Sequence, residues 1–299
     1  MATHPPILPP AEILRLTPEG ADALFERLEA HVPVRPPLYA IPPGAAREAI
    51  VVGDTHGDWR STEAAVEKYQ EGNRALVALG DYVDRAPDDC GAGSVANALF
   101  LLELAAERPD RVVLVQGNHE TVRRIPAIPH HLDEEIDQLW GPERGRYDRL
   151  LGLLERGPLA ATTVNGAYLA HAGFPRGALP DPWTGWFDRM DEERLADIVW
   201  PECGASHIRR GASLAWGSRD LHQFLSAAGL SVFLRGHDPD LNGLPLYAGR
   251  CLTLHTTRVY ERYGGVLVAH LPLDRPLGSV LDVRTEHLAT EGRSFPPVD

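Results

Sequence analysis

The chain has 299 residues, of which 43% are hydrophobic and 24% charged, and its formal net charge is −13. Such a balance is ordinary for a soluble globular protein, and the length allows one large domain or two small ones whose core needs no disulfide staples. With no run of Lys or Arg, the acidic chain is not built to grip nucleic acid, and no apolar stretch reaches the ~20 residues that span a bilayer. Cys90, Cys203 and Cys251 are odd in number and scattered, with neither a disulfide framework nor CxxC spacing. The opening MATHPPILPP lacks a basic segment followed by an apolar one, so a secretory signal is not expected and a reducing, cytoplasmic setting is.

Residues 1–48 begin and end in proline-rich text, with a helix-like pattern from Pro18 to His31 that carries Leu24, Phe25 and Leu28. They read as an N-terminal arm with a short helix packed on a main domain of residues 49–299. From Glu48 a cadence sets in. EAIVV is followed at once by GDTHGD, RALVAL leads to GDYVDR, and RVVLVQ leads to GNHE. Helix-like stretches, roughly 60–70 and 94–108, separate these runs, as in βαβ units with buried parallel strands. Thr121 to Gly157 reads as mainly helical and polar, with LDEEIDQLW and its acidic run as a solvated helix face. AYLAHAG and VFLRGHD read as further strands ending at His171 and His237. Asp181 to Trp200 reads as irregular, and CLTLHTT with GVLVAHL as late strands of a second sheet.

The chemistry recurs just past each strand's C-terminal end, where open α/β sheets bind ligands. Asp54 and His56 alternate across Thr55, so extended backbone points both to one side. They form a mixed oxygen and nitrogen site for a divalent metal. Asp81 can bridge to a second ion, for which Asn118, His171 and His237 supply neutral ligands. Two ions ~3.5–4 Å apart activate a water and clamp a phosphoryl group, which removes the need for a protein nucleophile. His119 is the expected general acid, Asp84 its orienting carboxylate, and Arg85 a fork for the phosphate oxygens, with Asn118 beside them.

In this order, GDTHGD, GDYVDR, GNHE, HAG and RGH resemble the phosphoprotein phosphatase family of the calcineurin-like metallophosphoesterases, in its bacterial or archaeal branch. The resemblance runs from about Ile50 to Tyr260. It implies a mixed α/β (α+β) fold, a β-sandwich of two mixed sheets flanked by helices, with two metal ions at the sandwich edge. Manganese is the first choice of metal, ahead of iron or zinc. It also implies a second phosphate arginine at Arg210, in RRGASLAWG, and an active-site tyrosine at Tyr260, in TLHTTRVY. Ala86, Gln116 and Ala172 depart from the family's usual glycine, arginine and glycine without removing a ligand.

The expected activity is hydrolysis of phosphoserine and phosphothreonine in proteins, and of phosphotyrosine as an extension. The alternatives are a hydrolase of dinucleoside polyphosphates such as diadenosine tetraphosphate, or a non-catalytic scaffold. Asp84 favours the first, since the dinucleotide branch typically carries alanine there. The expected partner is a phosphoprotein or phosphopeptide, with no nucleic acid, no membrane and no evident regulatory subunit. His130 and His131, among prolines and acids, read as solvated. His207, His222 and His255 read as structural, and Trp183 and Trp186 as a local aromatic cluster.

Overall fold

In the computed structural model, which describes residues 7–208 and 215–289, the chain opens on a short helix α1 (Pro10–Ile13) and a longer α2 (Pro18–His31). The Thr17 hydroxyl caps α2 by accepting from the Gly20 amide, and Pro18 in the first turn sacrifices no helical hydrogen bond. Ala21, Leu24, Phe25 and Leu28 are buried on one face. The opposite edge is tied down by bidentate pairs from Arg146 to Asp22 and from Arg149 to Glu29. Strand β1 (Leu38–Ala40) follows.

The cadence then folds as its pattern predicts. β2 (Glu48–Val52), α3 (Trp59–Gln70), β3 (Arg74–Ala78), α4 (Gly93–Glu107) and β4 (Val112–Leu114) alternate, and the three strands pair in parallel. Ile50 and Val52 face one hydrophobic cluster while Ala49 and Val51 face another. A strand covered on both faces must be apolar throughout, which is why EAIVV shows no polar alternation. Helix α4 is buried along almost its whole length, from Gly93 to Ala105, because α1, α2, α3, α5 (Leu132–Trp140) and α6 (Arg144–Leu154) surround it.

β5 (Ala160–Thr162) and β6 (Ala167–Ala170) are followed by a 3-10 turn (Trp183–Asp188), α7 (Glu192–Val199) and α8 (Ser218–Ala228). Residues 181–200 are therefore less irregular than the sequence suggests. Asp191 caps α7 through the Arg194 amide, and Leu195, Ile198 and Val199 pack inward. Trp183 and Trp186 join Phe187 and Tyr168 in an aromatic cluster.

The chain ends with β7 (Val232–Arg235), β8 (Pro245–Leu246), β9 (Cys251–Thr253), β10 (Leu267–Pro272) and β11 (Arg284–His287). One sheet runs β1-β5-β6-β7-β9-β8 and the other β11-β10-β2-β3-β4, both mixed. CLTLHTT lies in the former, but GVLVAHL does not join it: β10 pairs antiparallel with β2 in the latter. The sequence expectation grouped the two runs, and periodicity alone cannot say which sheet a buried apolar strand enters. The sheets pack face to face over Val51, Val77, Val113, Leu169, Leu234 and Leu252, with helices outside each.

Candidate functional site

The parallel strands β2, β3, β4, β6, β7 and β9 share a direction, so their C-terminal ends open on one edge of the sandwich. A parallel bridge between Asp54 and His255 joins the two sheets there. Asp54, His56, Asp81, Asn118, His119, His171 and His237 are all buried at this edge. Five of the seven non-glycine residues with positive φ among those described are His56, Asp81, Asp84, Arg85 and His237. Side chains with a Cβ enter that region at a cost of roughly 1–3 kcal/mol each, and such strain gathers where function over-determines the backbone.

The loops that carry this strain are held by hydrogen bonds. The Glu120 carboxylate accepts from the amides of Asp81, Tyr82 and Gly117, each at 2.8 Å. The Asn97 amide donates to Thr55 Oγ1 and Tyr82 O, both at 2.8 Å. Glycine is required at two of the closest approaches. A Cβ on Gly236 would sit 1.9 Å from Asp54 Oδ1, and one on Gly117 would sit 2.3 Å from Asp81 Oδ1.

The donor set fits a pair of metal ions. His171 Nδ1 donates to Leu79 O at 3.0 Å, which leaves Nε2 as a lone pair facing Asn118 Oδ1 at 2.9 Å and Asp81 Oδ2 at 3.5 Å. His237 Nδ1 lies 3.1 Å from the same Nε2 and 3.2 Å from Asn118 Oδ1. Separations of 2.9 to 3.5 Å among these nitrogen and oxygen atoms match the edges of a coordination polyhedron. On the other side, His56 donates from Nδ1 to Val83 O at 3.1 Å, while its Nε2 lies 3.8 Å from both Asp54 Oδ2 and Asp81 Oδ2. Asp81 Oδ2 thus faces both groups of ligand atoms. Its Oδ1 is held by the His119 amide at 3.1 Å, and Asp54 is held by the His237 amide. Burial, with Arg85 nearby, pushes the His56 pKa down to about 3, and burial pushes that of His171 to about 4. Both imidazoles are therefore neutral and able to ligate at neutral pH.

Beside the donors, His119 Nδ1 meets Asp84 Oδ2 at 2.5 Å, and its Nε2 is buried with no hydrogen-bond partner among the described residues, 4.0 Å from Asp81 Oδ2. Burial disfavours the Asp84 carboxylate, yet the His119 and His130 hydrogen bonds hold its pKa well below the usual range. Arg85 Nη1 stands 3.1 Å from His56 Nε2 and 3.2 Å from the Tyr260 hydroxyl, whose ring packs edge-on to His56 and His255. A pocket of about 460 Å³ opens over Asp54, His56, Asp81, Arg85, Asn118 and His237, walled by Pro126, Ile128 and Trp200. Arg210 lies outside the described residues.

Two features differ from the sequence reading. His130 is not solvated: its Nδ1 donates to Asp84 Oδ2 at 2.8 Å, and the His131 amide donates to Asp84 Oδ1 at 2.7 Å. Glu135 leaves the solvated acidic face to accept from Ser94 at the start of α4, a contact that hydrophobic periodicity does not report. The Gln116 amide donates to the carbonyls of Glu155 and Gly157. The sequence reading also missed a buried brace. Arg258 grips Asp58, the last residue of GDTHGD, and Asp58 in turn caps α3 through Ser61. An Asp three residues before Ser61, ahead of an amphipathic run, was a readable cap signal, but its arginine two hundred residues away was not.

The calcineurin-like phosphoesterase family model matches residues 49–241, the span that carries every motif up to His237. The chain belongs to the calcineurin-like phosphoesterase family. It is 28% identical to the serine/threonine-protein phosphatase 4 catalytic subunit of Eremothecium gossypii, over 76% of this chain and 74% of that one. It is 27% identical to a serine/threonine-protein phosphatase of Encephalitozoon cuniculi over 72% of its length, and spans only 48% of that relative. Among solved structures, a serine/threonine phosphatase from Saccharomyces cerevisiae superposes with a TM-score of 0.65 at 22% identity, covering 97% of this chain and 93% of the other. The cold-active protein-tyrosine phosphatase of a Shewanella species reaches 0.55 at 14% identity, covering 87% and 84%. These superpositions establish the mixed two-sheet fold.

Proposed function

We propose that this chain is a metal-dependent phosphomonoesterase acting on phosphoserine and phosphothreonine side chains of proteins. The observation that carries the reading is His119, whose Nδ1 is held by buried Asp84 while its Nε2, with no hydrogen-bond partner among the described residues, lies 4.0 Å from Asp81 Oδ2 in a buried cluster of Asp and His side chains that could hold divalent ions. Asp54 and His56 would hold one ion, Asn118, His171 and His237 the other, and Asp81 both. When bound, two such ions supply Lewis-acid charge and an activated water. The protein's own residues do the rest. Arg85, braced by Tyr260, offers a planar fork to the phosphoryl oxygens, and Arg210 is proposed as its second arm. Asn118 adds an amide to the same group. His119 Nε2 protonates the departing oxygen, and Asp84, accepting from Nδ1, orients the ring and stabilises the charged imidazolium that carries that second proton.

Relatives named serine/threonine-protein phosphatases support the protein substrate, as does a pocket open enough for a side chain presented on a peptide. Manganese is the proposed native metal, since aspartate, histidine and asparagine suit it, and the cytoplasm the proposed setting. The test begins with metal-stripped protein. Restored with manganese, it should hydrolyse a phosphoserine peptide and para-nitrophenyl phosphate, and turn over diadenosine tetraphosphate far more slowly. Faster turnover of the dinucleotide would replace the protein substrate, and inertness with manganese, iron and zinc alike would sink the enzymatic reading.

A further inference from the structure

Asp84 serves two imidazoles. Its Oδ2 accepts from His119 Nδ1 at 2.5 Å and from His130 Nδ1 at 2.8 Å, while Oδ1 accepts from the His131 amide at 2.7 Å. Proton donation by His119 accounts only for the first of these contacts. The other two come from the short run ahead of α5, and that run is anchored. The Tyr147 hydroxyl on α6 meets His130 Nε2 at 3.0 Å, with the two rings edge-on 5.8 Å apart. Glu135, in the first turn of α5, accepts from the Ser94 amide at 2.9 Å and its hydroxyl at 2.5 Å, and the same Ser94 oxygen accepts from the Asp84 amide at 2.9 Å. The carboxylate and the backbone beneath it are thus both fixed by one segment.

A carboxylate rotates about a broad torsion, so a single imidazole would leave Asp84 free to swing. Three donors remove that freedom. We infer that His130, backed by Tyr147, is a positioning residue for the proton donor: it locks Asp84 so that His119 Nδ1 stays held and Nε2 stays on the side of Asp81. This rests on the reading of His119 as acid to the leaving oxygen. A metal ion bound by Asp84, His119 and His130 themselves is the competing account of the cluster, and separations of 2.5 and 2.8 Å are those of hydrogen bonds.

Leaving-group dependence separates positioning from simple structural support. Nitrophenolate departs without a proton, whereas the alkoxide of serine needs one. His130→Ala should lower kcat on a phosphoserine peptide about tenfold or more, as loss of a partner behind a reacting group commonly does, and change para-nitrophenyl phosphate hydrolysis by less than about twofold. His130→Asn, whose amide nitrogen can replace Nδ1, should recover most of the loss. Tyr147→Phe should show a smaller loss with the same preference, which keeps the test available if the alanine variant does not fold. Equal losses on both substrates, no loss, or a fall in bound metal in a folded His130 variant would overturn the inference and leave the reading of the site standing. His119→Ala is the separate control: if it too hits both substrates equally, the role of His119 is wrong and the inference falls with it.

Discussion

Two buried aspartates flank the site, and they solve the same problem in different ways. Asp58 and Asp84 are each wholly excluded from solvent. Asp58 is met by the Arg258 guanidinium at 2.8 to 3.1 Å, by the Arg258 amide at 2.8 Å and by the Ser61 hydroxyl at 2.7 Å. Asp84 is met by two imidazoles and a backbone amide. Either set satisfies the hydrogen-bonding capacity of a carboxylate removed from water. What differs is the donor. A guanidinium never gives up its proton, so the Asp58 pair is a fixed brace, and it pins the loop that carries Tyr260 two residues beyond Arg258. An imidazole, unlike a guanidinium, can hand a proton on, so the Asp84 cluster offers chemistry that the Asp58 pair does not.

The sharpest way to break this comparison is to neutralise each aspartate in turn. Asp84→Asn should cost about 10²- to 10⁴-fold in kcat on a phosphoserine peptide, the usual worth of a general acid, with metal content by elemental analysis unchanged. Loss of metal instead would place Asp84 among the ligands. On the other side, Arg258→Met should cost about 3–5 kcal/mol in urea unfolding, because it strands a buried carboxylate. Adding Asp58→Asn to it should return part of that loss. The Asp89 carboxylate, which also pairs with Arg258, is half exposed, so water takes over its share. If Arg258→Met kept full stability but lost turnover, the brace would be part of the chemistry and the contrast would fail.

The same contrast explains what the sequence could and could not reveal. Asp54, His56, Asp81, Asp84, Arg85, Asn118 and His119 lie just past three apolar strands, and parallel pairing places such positions on one edge with no further information. His171 and His237 were legible for the same reason in the second sheet. The residues that hold these groups were not. His130 reaches Asp84 from a proline-rich run with no periodicity, and Arg258 reaches Asp58 across the whole chain. Contacts of that kind are fixed by tertiary packing, and neither propensity nor spacing encodes them. The sheet assignment of β10 failed likewise, because a run buried on both faces looks alike in either sheet.

Asp197 extends the comparison to a carboxylate with neither solution. It lies on α7, and its nearest cation, the guanidinium of Arg176, stays 3.9 Å away. Burial accordingly pushes its pKa up to about 6 from an ordinary 3.8, the reverse of what happens at Asp84. The sign follows from linkage. With the folded pKa above the unfolded one, Asp197 favours the folded state below about pH 4, and that contribution is lost as pH rises through about 6. Asp197→Asn keeps the shape and removes the ionisation. It should therefore stabilise the protein at pH 7 to 8 by about 1 kcal/mol, a modest gain because the side chain keeps some contact with screening solvent, and leave stability at pH 4 unchanged. Urea unfolding at both pH values checks this. A gain of equal size at pH 4 would mean that packing of the amide, rather than the charge, is responsible, and a loss at pH 7 would mean that Arg176 holds this aspartate as firmly as Arg258 holds Asp58.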